Sequence, residues 1–243
     1  MKNGKTVIIT GSAKGLGSNI ALLLAKEGHN IIINYFQSKN EAKLLGERLA
    51  KITSVKIIKG DVSKFQDTQT IIQKTIKEFG SVDILINNAG IHVDELVNKM
   101  NPNNWKNVID VNLTGTFNCS KSVLPQMIKQ NYGSIINISS FTAFQGIAGA
   151  SNYAALKAGV VAFTKSLAKE VSKFDITVNA IAPGYFDIGM FYDIDKKTQR
   201  KIISNIPAKR LGQPKEIFEL IKIIISSRYT TGQVFTLDGG FSL

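Results

Sequence analysis

Seven short apolar runs punctuate the chain: Thr6–Thr10, Asn30–Asn34, Val55–Lys59, Val82–Asn87, Ser134–Ser139, Thr177–Ile181 and Gln233–Leu237. They are rich in β-branched residues and lack strict alternation, the pattern of strands buried on both faces. Stretches of helical period separate them. Leu16, Ile20, Leu23 and Leu24 recur at that spacing before a stop at Gly28. Phe65, Thr68, Ile72, Thr75, Ile76 and Phe79 do the same before Gly80. A longer pattern runs from Trp105 through Val108, Ile109, Asn112, Leu113 and Thr116 towards Met127 and Ile128. The alternation predicts an α/β fold with a doubly wound, parallel, seven-stranded sheet of Rossmann-like type. No linker, repeat or break in composition divides the chain, so residues 1–243 read as a single domain. The segment Tyr185–Pro207 contains no strand pattern and is rich in Asp, Lys and Gln. It is expected to cover the carboxyl ends of the strands.

Composition narrows the class. Of 243 residues, 44% are apolar and 20% charged, which excludes disorder and low complexity. No run approaches the ~18 apolar residues of a membrane span, and the short apolar run after Met1–Lys5 is too brief for a signal peptide. One cysteine, Cys119, makes no disulfide within the chain, which suits a reducing cytoplasm. With only His29 and His92 beside it, no Cys/His metal site is available. The net charge of +12 comes from dispersed lysines; the arginines are only Arg48, Arg200, Arg210 and Arg228. Base-reading proteins rely on the bidentate arginine fork and on basic blocks, and this chain has neither in quantity. A solvated lysine surface and a docking face for an acidic partner both remain.

The first candidate chemistry lies where the first strand meets the first helix, at Thr10-Gly11-Ser12-Ala13-Lys14-Gly15-Leu16-Gly17. Glycines there let the main chain turn sharply and approach a pyrophosphate, and a helix start offers free N–H groups to it. The spacing is Gly-x-x-x-Gly-x-Gly, which tight packing alone also produces. Two further strand ends support a dinucleotide: Asp61-Val62 after the third strand, and Asn87-Asn88-Ala89-Gly90 after the fourth. An enzyme using NAD usually ends its second strand with an acid for the ribose 2′-hydroxyl. Here that strand runs into Asn34-Tyr35-Phe36-Gln37-Ser38-Lys39, and the first acid, Glu41, comes too late. Lys14, Ser38 and Lys39 would instead suit a 2′-phosphate, so NADPH is the expected cofactor.

Tyr153 and Lys157 stand four apart on a predicted helix and share a face. Lowering a phenol pKa from ~10 to ~7 takes about 4 kcal/mol, which an ammonium ~4 Å away supplies at intermediate dielectric. The same spacing also describes an ordinary solvated helix. Ser140, at the end of the preceding strand, adds a hydroxyl that could hold a substrate carbonyl beside the tyrosine. Asn112 is an amide amid Val111 and Leu113; it could be a satisfied core amide or could hold a water that relays protons to Lys157.

Together the loop Thr10–Gly17, Asp61-Val62, Asn87–Gly90, Asn112, Ser140, Tyr153/Lys157 and Pro183-Gly184 closely resemble the short-chain dehydrogenase/reductases, over almost the whole chain. The resemblance implies that Asn112, Ser140, Tyr153 and Lys157 form a catalytic tetrad, with Ser140 and Tyr153 also binding substrate. It implies nicotinamide contacts from Gly11, Ser12, Lys14, Gly15, Leu16, Gly17, Ser38, Asp61, Val62, Asn88, Ala89, Gly90, Tyr153, Lys157, Pro183, Gly184 and Phe186. Within the family the chain is most similar to the 3-oxoacyl-(acyl-carrier-protein) reductases of fatty acid biosynthesis. That similarity implies acyl carrier protein as partner, docked near the site entrance with Lys129 and Lys173 as candidates. It also implies a homotetramer built on residues 103–130, 152–173 and the last strand. Other small ketones, sugars or coenzyme A thioesters remain possible substrates. Three positions depart from the pattern: Ile188 where the family often has Thr, and Ile147 and Ala150 where those reductases commonly carry Asn and Gln.

Overall fold

The structure, a computed structural model, describes residues 4–243. Seven strands form one parallel sheet: β1 (Thr6–Ile9), β2 (Asn30–Tyr35), β3 (Val55–Lys59), β4 (Ile84–Asn87), β5 (Gly133–Ile138), β6 (Ile176–Pro183) and β7 (Val234–Leu237). Their spatial order is β3-β2-β1-β4-β5-β6-β7, the doubly wound arrangement expected. The order reverses between β1 and β4, so a crevice opens at their carboxyl ends.

The continuous apolar runs are explained by burial on both faces. Val7, Ile9, Ile31, Ile33, Ile84 and Ile86 face α1 (Gly15–Lys26) and α8 (Pro214–Ser226), against Ile20, Leu24, Ile217 and Ile221. Their sequence neighbours Ile8, Ile32, Leu85 and Ile135 face the other way. There they meet α3 (Phe65–Phe79), α5 (Gly115–Gln130) and α6 (Ser151–Val171), through Ile72, Val123, Met127 and Leu167. The helices α2 (Lys39–Leu49), α4 (Pro102–Ile109) and α7 (Lys196–Asn205) complete the chain.

Two expectations are corrected. The fourth strand starts at Ile84 rather than Val82. The Val82 N–H is drawn instead to Gln130 Oε1 at 3.0 Å, and the Asp83 carboxylate accepts from the Thr6 N–H at 2.7 Å. The long helical pattern from Trp105 is not one α-helix. A π-turn at Asp110–Thr114 separates α4 from α5, with the Gly115 N–H reaching back to the Asp110 carbonyl. The segment Tyr185–Pro207 carries a 3₁₀ turn at Gly189–Asp193 and α7, and no strand beyond an isolated bridge from Phe186 to Gly212.

Candidate active site

The glycine loop is built by close approach. Gly11 has φ +60° and packs its Cα against Ala89, where an added Cβ would come within 2.8 Å of the Ala89 Cα. At Gly17 the same atom would meet Asn88 Nδ2 at 2.6 Å and Ser12 Cα at 2.9 Å. Gly15 differs: its φ is +59° and nothing lies within 4 Å of a Cβ there, so it borders open space. Helix α1 begins at that point with no side-chain cap and no acid in its first turn. Among the described residues no acceptor takes the N–H groups of Gly15, Leu16 and Gly17. An anion-binding helix start is therefore open at the switch point.

Side chains missed by the sequence reading hold this loop in place. Asn34, fully buried, accepts from the Gly11 N–H at 3.2 Å and donates to the Gly60 carbonyl at 3.1 Å. Thr10 Oγ1 accepts from the N–H groups of Asn88 and Ala89, both at 3.0 Å. The signal for Asn34 was present, an amide ending an otherwise apolar strand. Thr10 looked like any strand-end threonine. Asn87 Nδ2 donates to Asn137 Oδ1 at 2.8 Å, tying two strand ends as anticipated. Asp61 lies just beyond β3 and accepts from the Ser63 N–H and hydroxyl. Val62 is wedged against Gly115. Lys14 and Lys39 are exposed and Ser38 half-buried beside them in sequence, with no ion pair on either lysine among the described residues.

Ser140 follows β5 and Tyr153 opens the first turns of α6, so the crossover brings both to the carboxyl end of the sheet. Lys157 is buried, its Nζ 5.3 Å from the Tyr153 ring centroid and donating to the Ile138 carbonyl at 2.8 Å. This corrects the expectation that the ammonium draws the phenol pKa down. The lysine charge is aimed at a carbonyl rather than at the phenol oxygen. Burial pushes Tyr153 up to about 12, Asp94 adds to the rise, and the Ser140 hydroxyl opposes it. Burial also pulls Lys157 down to about 8. Tyr153 therefore holds its proton at neutral pH, the state required of a general acid.

Asn112 sits in the π-turn, a distortion often found at functional sites. Its Nδ2 donates to the Val108 and Ile91 carbonyls at 2.8 and 2.9 Å, while its buried Oδ1 has no partner. Gly90 has no side chain to fill that space; a Cβ there would lie 2.4 Å from Asn112 Oδ1. Both readings of Asn112 thus hold in part: a satisfied donor and an orphaned acceptor able to take a water.

Pro183 ends β6, and Gly184 is required by packing, since a Cβ would meet Asp238 at 2.6 Å. Phe186 is corrected: its buried ring packs over Gly212, leaving only its main chain for a ligand. Lys129 and Lys173 are not brought to this site. They lie in the last turn of α5 and just after α6, at the amino ends of β5 and β6. With α5 16 residues long, Lys129 stands ~24 Å down the helix from the Asn112 end.

The model of the short chain dehydrogenase family matches residues 5–199. The chain belongs to that family. It is 39% identical to the 3-oxoacyl-[acyl-carrier-protein] reductase of Staphylococcus epidermidis over 97% of this chain and 98% of that protein. It is equally similar, at 39%, to proteins of the same name from Staphylococcus aureus (99% of each) and Thermotoga maritima (98% of this chain, 97% of that protein). Membership makes the protein an oxidoreductase of the ketone/alcohol kind that uses a nicotinamide cofactor. The open Gly15 cradle, the unpartnered helix N–H groups and the orphaned Asn112 acceptor fit such a group. Among the described residues no helix is long and apolar enough to cross a membrane, and no cluster suits a metal.

Proposed function

We propose that this enzyme reduces 3-oxoacyl thioesters carried on acyl carrier protein to the 3-hydroxy products, with NADPH as reductant. The observation that carries the reading is the meeting of Ser140, Tyr153 and Lys157 at the strand ends beside an open phosphate cradle. The first turn of α1 would hold the pyrophosphate, Lys14, Ser38 and Lys39 the 2′-phosphate, and Lys157 the nicotinamide ribose. When bound, the cofactor supplies the hydride that reduces the substrate carbon. Ser140 and Tyr153 bind and polarise the carbonyl oxygen. Tyr153 delivers its phenolic proton to that oxygen as negative charge develops there. A water on Asn112 Oδ1 returns a proton through Lys157. The segment 185–207 covers the entrance and excludes solvent water.

A second reading, reduction of another small ketone, sugar or coenzyme A thioester, is favoured by one observation. Ile147, 39% exposed, and Ala150 put aliphatic groups in the loop before α6 where the related reductases commonly carry amides. The homotetramer is proposed on the half-exposed Trp105 and Phe117, the latter edge-on to Phe163 at 6.3 Å, on α4, α5 and α6. A cytoplasmic location follows from this reading. Steady-state NADPH oxidation with matched 3-oxoacyl groups on acyl carrier protein, on coenzyme A and as simple esters tests it. A kcat/KM highest for the carrier-borne substrate is expected; a higher value for an unrelated ketone overturns it.

A further inference from the structure

The stretch after Gly90 is laced to the site at alternate residues. The Ile91 carbonyl accepts from Asn112 Nδ2 at 2.9 Å, the Val93 carbonyl from Asn152 Nδ2 at 2.9 Å, and the Glu95 N–H donates to the Gly149 carbonyl at 2.7 Å. Asn152 is fully buried, and its Oδ1 accepts the N–H of Tyr153 at 2.7 Å. The main chain on both sides of Asp94 is thereby fixed against the start of α6, within one hydrogen-bonded chain of the Tyr153 backbone. The residues between the anchor points, His92, Asp94 and Leu96, are exposed. Asp94 makes no ion pair among the described residues.

We propose that Asp94 is a positioning residue whose carboxylate, clamped beside the mouth of the site, biases Tyr153 towards giving a proton to a carbonyl and against taking one from an alcohol. This rests on the carbonyl-reductase reading above. The groups facing the phenol are Lys157 from α6, Ser140 from the turn after β5, Asp94 and His92 from the stretch after β4, and Tyr185 from beyond β6. Of these only Asp94 brings a negative charge. It pushes up the phenols of both Tyr153 and Tyr185, while Lys157 is directed to the Ile138 carbonyl. A fixed anion opposes formation of a second negative charge nearby. An exposed, unpaired carboxylate at a site entrance has no stabilising role that would otherwise explain its placement.

The test replaces tyrosine with 3-fluorotyrosine throughout the full chain, which lowers phenol acidity constants into a range where the fold survives. The residue 153 resonance is assigned by its loss in Tyr153→Phe and titrated by fluorine NMR without substrate. Asp94→Asn is expected to move that titration to lower pH by about half a unit or more. The alkaline limb of ketone reduction by the unlabelled enzyme should move in the same direction. Glu41→Gln, a remote exposed carboxylate, should move neither. If Asp94→Asn lowers kcat at every pH while the resonance and the limb stay put, the residue is merely structural and the proposal fails. Equal shifts in Asp94→Asn and Glu41→Gln also overturn it, as an effect of net charge. If no 3-oxo substrate is turned over by the parent, the function reading fails on its own, and the titration still decides Asp94.

Discussion

At the scale of single residues the site sets protonation against burial. Tyr153→Phe keeps the ring's volume and removes only the acid, so turnover should fall at least a thousandfold, within the ~10²–10⁴ range for acid–base groups, with NADPH affinity nearly unchanged. Equilibrium binding beside steady-state kinetics checks both halves. Lys157 carries a cost that can be measured. Its folded pKa is about 8 against 10.5 for the free side chain. Between those values the unfolded chain holds a proton that the folded chain has released, so stability rises with pH across that window. Below about pH 8 the full penalty applies, about 3 kcal/mol from the size of the shift. Lys157→Met should therefore abolish turnover yet raise stability near pH 7 by about 1–3 kcal/mol, after allowing for the lost bond to Ile138. Denaturant melts at pH 7 and above pH 10 should show the gain shrinking as pH rises; an equal or reversed difference at both would contradict the assignment. Lys14 is tested by cofactor choice. A charge-assisted contact to a 2′-phosphate is worth ~1.5–3 kcal/mol, so Lys14→Ala should weaken NADPH roughly 10- to 150-fold and barely affect NADH. Equal losses for both would place Lys14 on the shared pyrophosphate.

At the scale of elements, the junctions decide what the strands and helices can hold. Asn34 links the glycine loop to the end of β3, bonding to Gly11 on one side and Gly60 on the other. Asn34→Leu leaves those buried groups without partners, at ~1–3 kcal/mol each where burial is complete. Chemical denaturation should register a loss of a few kcal/mol, and calorimetric titration should show weaker dinucleotide binding. Unchanged binding would mean that the loop holds its shape without the amide. The strands were legible because burial on both faces leaves uninterrupted apolar runs such as Val7-Ile8-Ile9 and Ile31-Ile32-Ile33. The tyrosine and lysine were legible because helical spacing puts residues four apart on one face. The π-turn at Asn112 was not, since one extra residue in a turn barely disturbs a 3.6-residue pattern. The packing role of the Phe186 ring was not legible either, because it depends on Gly212, distant in sequence and absent a side chain. The direction of the Tyr153 shift was missed for a related reason. Spacing places an ammonium near a phenol, but only the fold shows that the Ile138 carbonyl takes it.

At the scale of the whole molecule, the positions of Lys129 and Lys173 change what a carrier-protein dock requires. Both are exposed, and both lie at the amino ends of the strands, away from Ser140 and Tyr153 of the same chain. A two-fold axis that pairs α5 and α6 with a second copy runs each helix antiparallel to its mate. The Lys129 end of one chain then lies beside the catalytic end of the other. If these lysines steer an acidic carrier protein, they serve the neighbour's site. Reversing both to Glu should raise KM several-fold for the carrier-borne substrate and leave a small 3-oxo ester unchanged. The effect should shrink with added salt, since exposed charges are screened beyond ~8–10 Å. Mixed oligomers separate the two geometries. In one mixture the Tyr153→Phe chain keeps its native lysines and the live chain carries Lys129→Glu and Lys173→Glu. In the other the reversals sit on the Tyr153→Phe chain. Docking across the interface predicts a near-normal KM for the live site in the first mixture and a raised one in the second. The opposite pattern would assign the lysines to their own chain's site, and equal values in both would remove them from docking altogether.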